Sequence, residues 1–158
     1  YFFVFRRQSS IIKDMRKIMV FGVFDGIHEG HRAFFSEAKS HGDYLIAVAA
    51  PDHVVEHLKG KLPAVDIGWR LEALKKEDGV NEVVMGDEDL GTWDVIKRYR
   101  PAVIALGYDQ KILKKDLESA LPKIMKECES ETGPVWIPEL KIMAAHEPNT
   151  YHTSILKK

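Results

Sequence analysis

The residues best suited to chemistry are two histidines in a glycine-rich stretch that follows an apolar run. His28 and His31 are three residues apart, so they would share one face in the first turn of a helix. The start of such a helix adds backbone N–H groups and a partial positive charge, and both favour an anion. Gly22 and Gly26 permit a tight turn at the end of a strand, and Gly30 permits close approach of a ligand. The stretch therefore predicts a phosphate-binding turn; the alternative is a glycine-rich turn with two solvated histidines.

The segments that must position this turn alternate between two patterns. Short, continuous apolar runs are typical of strands buried on both faces, and the segments between them carry apolar residues at helical spacing. This alternation predicts an α/β fold, with a parallel sheet of five strands and helices on both faces. Ligands of such sheets bind beyond the carboxyl ends of the strands, where the two histidines would lie. The predicted strands are residues 18–21, 44–50, 83–85, 103–106 and 135–137.

Helix ends are predicted from capping residues and prolines. Asp52, Asp66 and Thr92 have side chains that can accept from the first free amides of a helix, so each predicts a helix start. A long helix is predicted from residue 112 to about residue 129. Pro122 lies inside this helix and is predicted to break it, because proline lacks an N–H group.

The composition narrows the class of protein. The chain has 158 residues, of which 45% are hydrophobic, and this is enough for one domain with an ordinary core. Lys plus Arg is 23 and Asp plus Glu is 24, so no overall charge favours nucleic acid or an anionic membrane. No apolar run reaches the roughly 18–20 residues of a membrane helix. The single cysteine, Cys128, excludes an internal disulfide and a cysteine-based zinc site, and it is consistent with a cytoplasmic location.

The first 14 residues are predicted to lie outside the domain. A signal peptide has its charges first, whereas here Arg6 and Arg7 follow a short apolar segment. No methionine occurs before Met15, and the first strand pattern begins just after it. We therefore expect residues 1–14 to be an N-terminal extension, either a tag or a start-site artefact, and residues 15–158 to be the domain. The alternative is an added edge strand or a dimer arm.

The histidine stretch reads G-V-F-D-G-I-H-E-G-H and fits the pattern G-x-F-D-x-x-H-x-G-H. This pattern resembles the signature of the cytidylyltransferase-like nucleotidyltransferases, which include archaeal FAD synthetases, heptose-phosphate adenylyltransferases and glycerol-3-phosphate cytidylyltransferases. The resemblance covers residues 16–158 and implies a single-domain, Rossmann-like sheet of the HUP type, with the nucleotide over the histidine turn. It implies catalytic roles for His28 and His31. It also implies nucleotide contacts from Gly22, Val23, Phe24, Asp25 and Gly30.

Two cationic segments extend the resemblance. The segment H-L-K-G-K-L-P looks like the K-G-x-x-P loop of heptose-phosphate adenylyltransferases and archaeal FAD synthetases, which implies catalytic roles for Lys59 and Lys61. Lysines on a flexible loop can follow phosphate charge as it moves to a leaving group; the alternative is a solvated basic loop. Arg70 stands where the family has an arginine at a helix start, which implies a catalytic role, since a guanidinium can bind phosphate in a bidentate way. The alternative for Arg70 is a surface ion pair.

Two further segments match nucleotide contacts of the family. The segment L-G-Y-D-Q after the fourth strand is similar to one in archaeal FAD synthetases, which implies nucleotide binding by Gly107 and Asp109. The alternative is a strand-end turn in which Asp109 is a cap. The segment H-T-S-I-L-K-K at the end of the chain resembles the I-S-T-T-x-I tail, which implies a phosphate site at Thr153 and Ser154 in the start of a last helix. The alternative there is a simple helix cap at Thr153.

The resemblance implies an enzyme that transfers a nucleoside monophosphate, namely AMP from ATP, to a phosphorylated small molecule and releases pyrophosphate. The loop motifs favour FMN as the acceptor and FAD as the product. The alternative reaction adenylates a sugar phosphate such as a heptose phosphate, or cytidylylates a polyol phosphate from CTP. Alternatives of other classes are a non-catalytic module that senses ATP or CTP and a part of a larger bifunctional enzyme. The resemblance further implies Mg²⁺ carried with the triphosphate, no metal site built by the protein, and a homodimer.

Overall fold

The computed structural model describes residues 15–129 and 135–144. Apolar runs form the strands, and the segments with helical spacing form the helices between them. In chain order the elements are β1 (Lys17–Gly22), α1 (Glu29–Lys39), β2 (Tyr44–Ala49), α2 (Asp52–Lys59), α3 (Ile67–Lys75), β3 (Glu82–Met85), α4 (Asp94–Tyr99), β4 (Val103–Leu106), α5 (Lys111–Glu127) and β5 (Glu139–Ile142).

All five strands pair in parallel, in the order β3-β2-β1-β4-β5. In the centre of the sheet, Val20 of β1 lies opposite Ala47 of β2 on one side and Ala105 of β4 on the other. The chain therefore builds the sheet from β1 toward one edge and, after β3, crosses over to build the other edge. At such a reversal the carboxyl ends of β1 and β4 open a crevice, and ligands of doubly wound sheets bind there.

Helices cover both faces of the sheet, because the central strands are apolar on both sides. On one face Val20 and its neighbours pack with Phe35 of α1 and Leu74 of α3. On the other face Met19 and its neighbours pack with Leu117 of α5. The predicted fold, a Rossmann-like α/β structure with a five-stranded parallel sheet, is confirmed.

Two of the three predicted helix caps concern the helices on either side of the loop between α2 and α3. The prediction for Asp66 is confirmed, since its carboxylate accepts from the amide of Trp69 at 3.1 Å at the start of α3. The prediction for Asp52 is wrong. This residue is the first of α2, behind Pro51 at the N-cap, and its carboxylate accepts from the guanidinium of Arg70 instead.

Two other predicted helix boundaries are also wrong. The N-cap of α4 is Trp93 rather than Thr92, whose hydroxyl donates to the Asp89 carbonyl at 3.0 Å within the preceding loop. Pro122 lies inside α5 without ending it. The side chain of Pro122 is exposed while Leu121 beside it is buried, so packing of the apolar face continues through the position where one backbone hydrogen bond is missing.

The fifth strand is Glu139–Ile142, so the prediction at residues 135–137 is wrong. Trp136 precedes the strand, and its indole N–H donates to the Pro101 carbonyl at 2.7 Å. Among the described strands, β5 pairs with β4 alone and stands last in the order of the sheet. Its sequence E-L-K-I alternates polar and apolar residues, so it lacks the continuous apolar run of a strand buried on both faces.

Within the described ranges, no helix is both long enough and apolar enough to cross a bilayer. The predictions for residues 1–14, for the last helix and for its residues Thr153 and Ser154 fall outside the described residues.

Candidate active site

A cleft of about 1600 Å³ lies beyond the carboxyl ends of the strands. The histidine turn (residues 23–31), from the end of β1 through the first turn of α1, lines it together with residues that follow β2, β3 and β4. Tertiary structure thus brings together residues from well-separated parts of the chain. The sequence-predicted site residues that line the cleft are Gly22, Val23, Phe24, Asp25, His28, Gly30, His31, Lys59, Lys61, Gly107 and Asp109.

The two histidine rings lie side by side at the start of α1, with ring centroids 4.0 Å apart. Nδ1 of His28, the N-cap residue, accepts from the backbone N–H of Gly30 at 3.0 Å. Nδ1 of His31 accepts from the backbone N–H of His28 at 3.2 Å. A backbone N–H only donates, so each Nδ1 is unprotonated in this arrangement and each ring carries its proton on Nε2. The turn therefore offers two imidazole Nε2–H donors.

These hydrogen bonds change one part of the expectation from sequence. Unpaired amides at the start of the helix were expected to bind an anion, but the amide of Gly30 is bonded to the ring of His28. Together with the His28 amide bonded to His31, this forms a capping box built from two imidazoles. The donors that the turn presents are therefore ring N–H groups rather than these two amides.

His31 is held neutral by its surroundings. Burial is the main cause that lowers its pKa to about 4; nearby His28 lowers it further, whereas the charge of Asp109 opposes the shift. The ring edge of Phe24 packs against the imidazole with centroids 5.7 Å apart, and Phe35 stacks at 6.5 Å. At neutral pH His31 is therefore an uncharged donor.

Phe24 and Gly22 shape the turn under this ring. Phe24 is 5% exposed and has a φ of 54°, in the left-handed region that is rare for a bulky residue. Its ring lies back over Gly22, where an added Cβ would come within 2.8 Å of the ring carbon Cζ. Glycine at position 22 is thus required by close approach, and the side chain of Phe24 packs against His31.

One residue of the site was not singled out from the sequence. Gln110 donates from Nε2 to the carbonyl of Phe21 at 2.8 Å and accepts at Oε1 from the amide of Gly107 at 2.8 Å. It thereby joins the carboxyl ends of β1 and β4, which flank the crevice. An added Cβ at Gly107 would lie 2.9 Å from a carboxylate oxygen of Asp109, so a side chain at position 107 would require that carboxylate to move. The signal in the sequence was the last letter of L-G-Y-D-Q.

The lysine loop (residues 59–66) extends from the end of α2 to the start of α3. Lys59 and Lys61 are exposed, and both line the cleft. Asp25 of the histidine turn contacts this loop, since its carboxylate accepts from the amides of Ala64 at 2.7 Å and Val65 at 2.8 Å.

Arg70 does not line the cleft as the described residues form it, and its side chain is buried. The guanidinium donates to the carbonyls of Val65 at 2.9 Å and Val23 at 2.7 Å, and to the carboxylate of Asp52 at 2.6 Å. The bond from Arg70 is the main cause that lowers the pKa of Asp52. The expected bidentate contact of Arg70 with phosphate is therefore absent from this arrangement, because protein acceptors occupy the fork.

The donor set of the cleft is suited to anions. Among the residues that the structure describes, no three His, Cys, Asp or Glu side chains are grouped to hold a metal ion. Two histidines and two lysines line the cleft, together with five aspartates: Asp25, Asp87, Asp89, Asp109 and Asp116. The imidazole N–H and ammonium groups can bind phosphate groups and neutralise their charge.

A family model described as cytidylyltransferase-like matches residues 19–158 of this chain. The parallel sheet and its histidine turn define a nucleotidyltransferase, an enzyme whose reaction moves a nucleotidyl group between phosphates. The chain belongs to the cytidylyltransferase-like family.

Relatives and a solved structure agree with this class. The FAD synthase of Pyrococcus horikoshii is 43% identical over 108 residues, which are 68% of this chain and 73% of that protein. The FAD synthase of Pyrococcus abyssi is 36% identical over 131 residues, which are 75% of this chain and 88% of that protein. The crystal structure of the lipopolysaccharide core biosynthesis protein from Thermoplasma volcanium is 29% identical with a TM-score of 0.69, and the match covers 82% of this chain and 97% of that one.

Proposed function

We propose that this protein adenylates FMN: it transfers AMP from ATP to the phosphate of FMN, forms FAD and releases pyrophosphate. The observation that carries the proposal is the pair of adjacent histidines, His28 and His31, which line the cleft and whose hydrogen bonds at Nδ1 leave Nε2 as the donor. The family supplies the class of reaction, and the FAD synthases among the relatives supply the acceptor.

The chemistry asks for charge neutralisation rather than for a nucleophile of the protein. An oxygen of the FMN phosphate attacks the α-phosphorus of ATP, and a new P–O bond forms. The bond from the α-phosphorus to the bridging oxygen breaks, and pyrophosphate leaves with that electron pair. The attacking phosphate is already an anion near neutral pH, so the step depends on in-line placement and on cancelling repulsion.

The residues of the cleft meet these needs in separate ways. His28 and His31 donate from Nε2 to phosphate oxygens at the start of α1, where the helix dipole also favours negative charge. Lys59 and Lys61 also line the cleft, and their ammonium groups neutralise charge that develops on the leaving pyrophosphate. Gly107 and Asp109 follow β4, and we assign them to the nucleoside of ATP.

Nucleotidyltransferases of this type generally use a divalent metal ion with the nucleoside triphosphate, and we propose Mg²⁺ here. Five aspartates line the cleft, but among the described residues no three carboxylate, histidine or cysteine side chains are grouped to hold a metal ion, so the ion fits as a ligand of the triphosphate oxygens. When bound, Mg²⁺ supplies further neutralisation of triphosphate charge.

Exposed leucines that line the cleft favour FMN over a sugar or polyol phosphate. Leu58 and Leu62, at the end of α2 and in the lysine loop, are 65% and 57% exposed, and Leu90 after β3 is 55% exposed. Leucines exposed inside a cleft favour an apolar ligand, because its binding removes their surface from water. The isoalloxazine ring of FMN offers such a surface, whereas sugar and polyol phosphates do not. A cytoplasmic location, with which the single cysteine is consistent, and a homodimer, which the family resemblance implies, complete the proposal.

The proposal is tested by a panel of acceptors. The protein is incubated with Mg²⁺, ATP or CTP, and one of FMN, heptose 1-phosphate, glycerol 3-phosphate and ethanolamine phosphate. We expect FAD and an equal amount of pyrophosphate from ATP with FMN, measured by chromatography and a coupled phosphate assay.

Other outcomes identify the alternatives. Pyrophosphate release with a sugar or polyol phosphate, and none with FMN, would select the alternative reaction. Nucleotide binding without turnover of any acceptor would select a sensor module and contradict the proposal.

A further inference from the structure

Two side chains, those of Asp25 and Arg70, connect the histidine turn with the lysine loop through hydrogen bonds. From the turn, Asp25 places one carboxylate oxygen on the amide of Ala64 at 2.7 Å and the other on the amide of Val65 at 2.8 Å. Both oxygens are therefore occupied by the loop. A carboxylate is repelled by a polyphosphate, so binding to the amides of the loop is the more favourable role for Asp25.

Arg70 holds the same peptide from the other side. Its Nε donates to the carbonyl of Val65 at 2.9 Å, and its Nη1 donates to the carbonyl of Val23, in the histidine turn, at 2.7 Å. Val65 is thus held at its N–H by Asp25 and at its C=O by Arg70. The residue Arg70 is 1% exposed and its Nη2 is paired with Asp52, so the fork is fixed in orientation.

The lysines themselves lie on the part of the loop with little packing. Lys59, Gly60, Lys61 and Leu62 are all exposed. The hydrogen bonds of Asp25 and Arg70 begin just beyond this stretch, at residues 64 and 65. Lys59 is also the last residue of α2, so the position of its ammonium group depends on both α2 and the loop, whereas that of Lys61 depends mainly on where Val65 is held.

We propose that Asp25 and Arg70 are positioning residues, which hold the lysine loop at a fixed distance from the histidine turn so that Lys59 and Lys61 meet the phosphates bound by His28 and His31. This inference rests on the proposed function, and it replaces the nucleotide contact implied for Asp25 and the phosphate contact implied for Arg70. Fixed placement of charges matters because a displacement of about 1 Å can cost on the order of a hundredfold in rate.

A double-mutant cycle tests whether Asp25 acts through the lysines. Asp25→Asn replaces one carboxylate oxygen with an amide group that cannot accept from a backbone N–H. We expect a loss of kcat of roughly tenfold to a hundredfold in the wild-type background. In the Lys59→Ala/Lys61→Ala background, measured by single-turnover pyrophosphate release at high enzyme concentration, the same change is expected to alter the rate less than about twofold.

Hydrogen–deuterium exchange gives a readout that needs no turnover. Asp25→Asn is expected to raise the exchange rate of the amides of Ala64 and Val65, whereas Lys59→Ala/Lys61→Ala is expected to leave it unchanged. Arg70→Lys keeps the charge beside Asp52 but loses the fork, so it is expected to raise the same exchange. If Arg70→Lys does not fold, Asp25→Asn alone decides, because Asp25 is at the surface.

Asp66→Asn is the matched control. Asp66 is also an exposed carboxylate that accepts a backbone N–H in this loop, but its partner is Trp69 and asparagine caps a helix equally well. We expect neither the rate nor the exchange of residues 64 and 65 to change.

Three results would overturn the inference. The first is that Asp25→Asn lowers the rate by the same factor in the Lys59→Ala/Lys61→Ala background as in the wild type. The second is that Asp25→Asn leaves the exchange rates of the Ala64 and Val65 amides unchanged. The third is that Asp66→Asn loses as much rate as Asp25→Asn. A wild-type protein that makes no FAD contradicts the proposed function instead, and the exchange experiment still decides the contacts of the loop.

Discussion

Contacts with the Nδ1 atom and the ring faces of His31 leave its Nε2–H group as a hydrogen-bond donor. Its Nδ1 is occupied by the amide of His28, the ring of Phe24 packs edge-on against it, and burial lowers its pKa to about 4. A neutral ring whose proton is on Nε2 can donate to a phosphate oxygen across the whole neutral pH range. The same residue also completes the capping box of α1, so it has a structural and a chemical role.

Two substitutions at His31 separate these roles. Glutamine is a usual third residue of capping boxes, because its side chain can accept from the N-cap amide, so His31→Gln keeps the cap and His31→Ala loses it. We expect both variants to lose about 10²–10³ in kcat, since each lacks the imidazole donor. Thermal unfolding is expected to show that His31→Gln is the more stable of the two.

Circular dichroism of the two variants is the control for the fold, and both spectra are expected to match the wild type. Near-normal pyrophosphate release by either variant would remove the proposed role of His31.

At the scale of elements, one side chain joins the two strands that flank the crevice. Gln110 bonds to Phe21 at the end of β1 and to Gly107 just after β4, each at 2.8 Å. The two strands are neighbours in the sheet but come from distant parts of the chain. The width of the crevice at the reversal of strand order therefore depends partly on this amide group.

Gln110→Ala is expected to lower the free energy of unfolding by about 1–2 kcal/mol, because two part-buried hydrogen bonds are lost. We also expect the KM for ATP to rise by about fivefold, which corresponds to about 1 kcal/mol of lost binding. Urea unfolding and steady-state kinetics measure the two effects.

Ser40→Ala is the control for a lost side-chain hydrogen bond. The Ser40 hydroxyl donates to the Glu37 carbonyl at 2.6 Å at the exposed end of α1. Its removal is expected to change stability by less than about 0.5 kcal/mol and to leave the KM for ATP unchanged. A rise of the KM in Ser40→Ala, or none in Gln110→Ala, would contradict the role of Gln110.

For the whole molecule, the environment of His31 makes folding depend on pH. The folded protein holds this group at a pKa of about 4, below the ordinary value of 6.5, so between these values the unfolded chain binds more protons. Stability from the neutral ring is therefore complete above about pH 6.5 and is lost as the pH falls toward 4. The ion pair of Asp52 and Arg70 affects stability at lower pH. Because the pKa of Asp52 is depressed in the folded state, its contribution to the free energy of unfolding is lost only as the pH falls below about 3.8.

We expect the free energy of unfolding of the wild type to fall by about 1–2 kcal/mol between pH 7 and pH 4.5 through His31, once solvent screening at a partly exposed ring is allowed for. In His31→Gln this component is expected to be absent. Urea unfolding of both proteins at the two pH values measures the difference. Equal pH dependence of the two proteins would mean that His31 titrates near its ordinary pKa in the folded state.

Particular elements show how much of the fold the sequence predicts. The runs around Val20, Ala47 and Ala105 are continuous and apolar because those strands are buried on both faces, so sequence pattern was sufficient to predict the sheet. The edge strand Glu139–Ile142 is partly exposed and alternates in polarity, so the apolar run at residues 135–137 was mistaken for it. Pro122 was mistaken for a helix end because packing by Leu121 and its neighbours is a tertiary effect.

The candidate site divides in the same way. Types and spacing of residues determined the phosphate-binding turn, since His28 and His31 are near in sequence and their local geometry follows from the start of a helix. Only the tertiary structure decided the long-range partners of Asp25, Arg70 and Gln110. Asp52 is 18 residues from Arg70, and Phe21 is 89 residues from Gln110. The physical reason is that residue type determines which chemistry a side chain can perform, whereas packing between distant segments of the chain determines which partner it contacts.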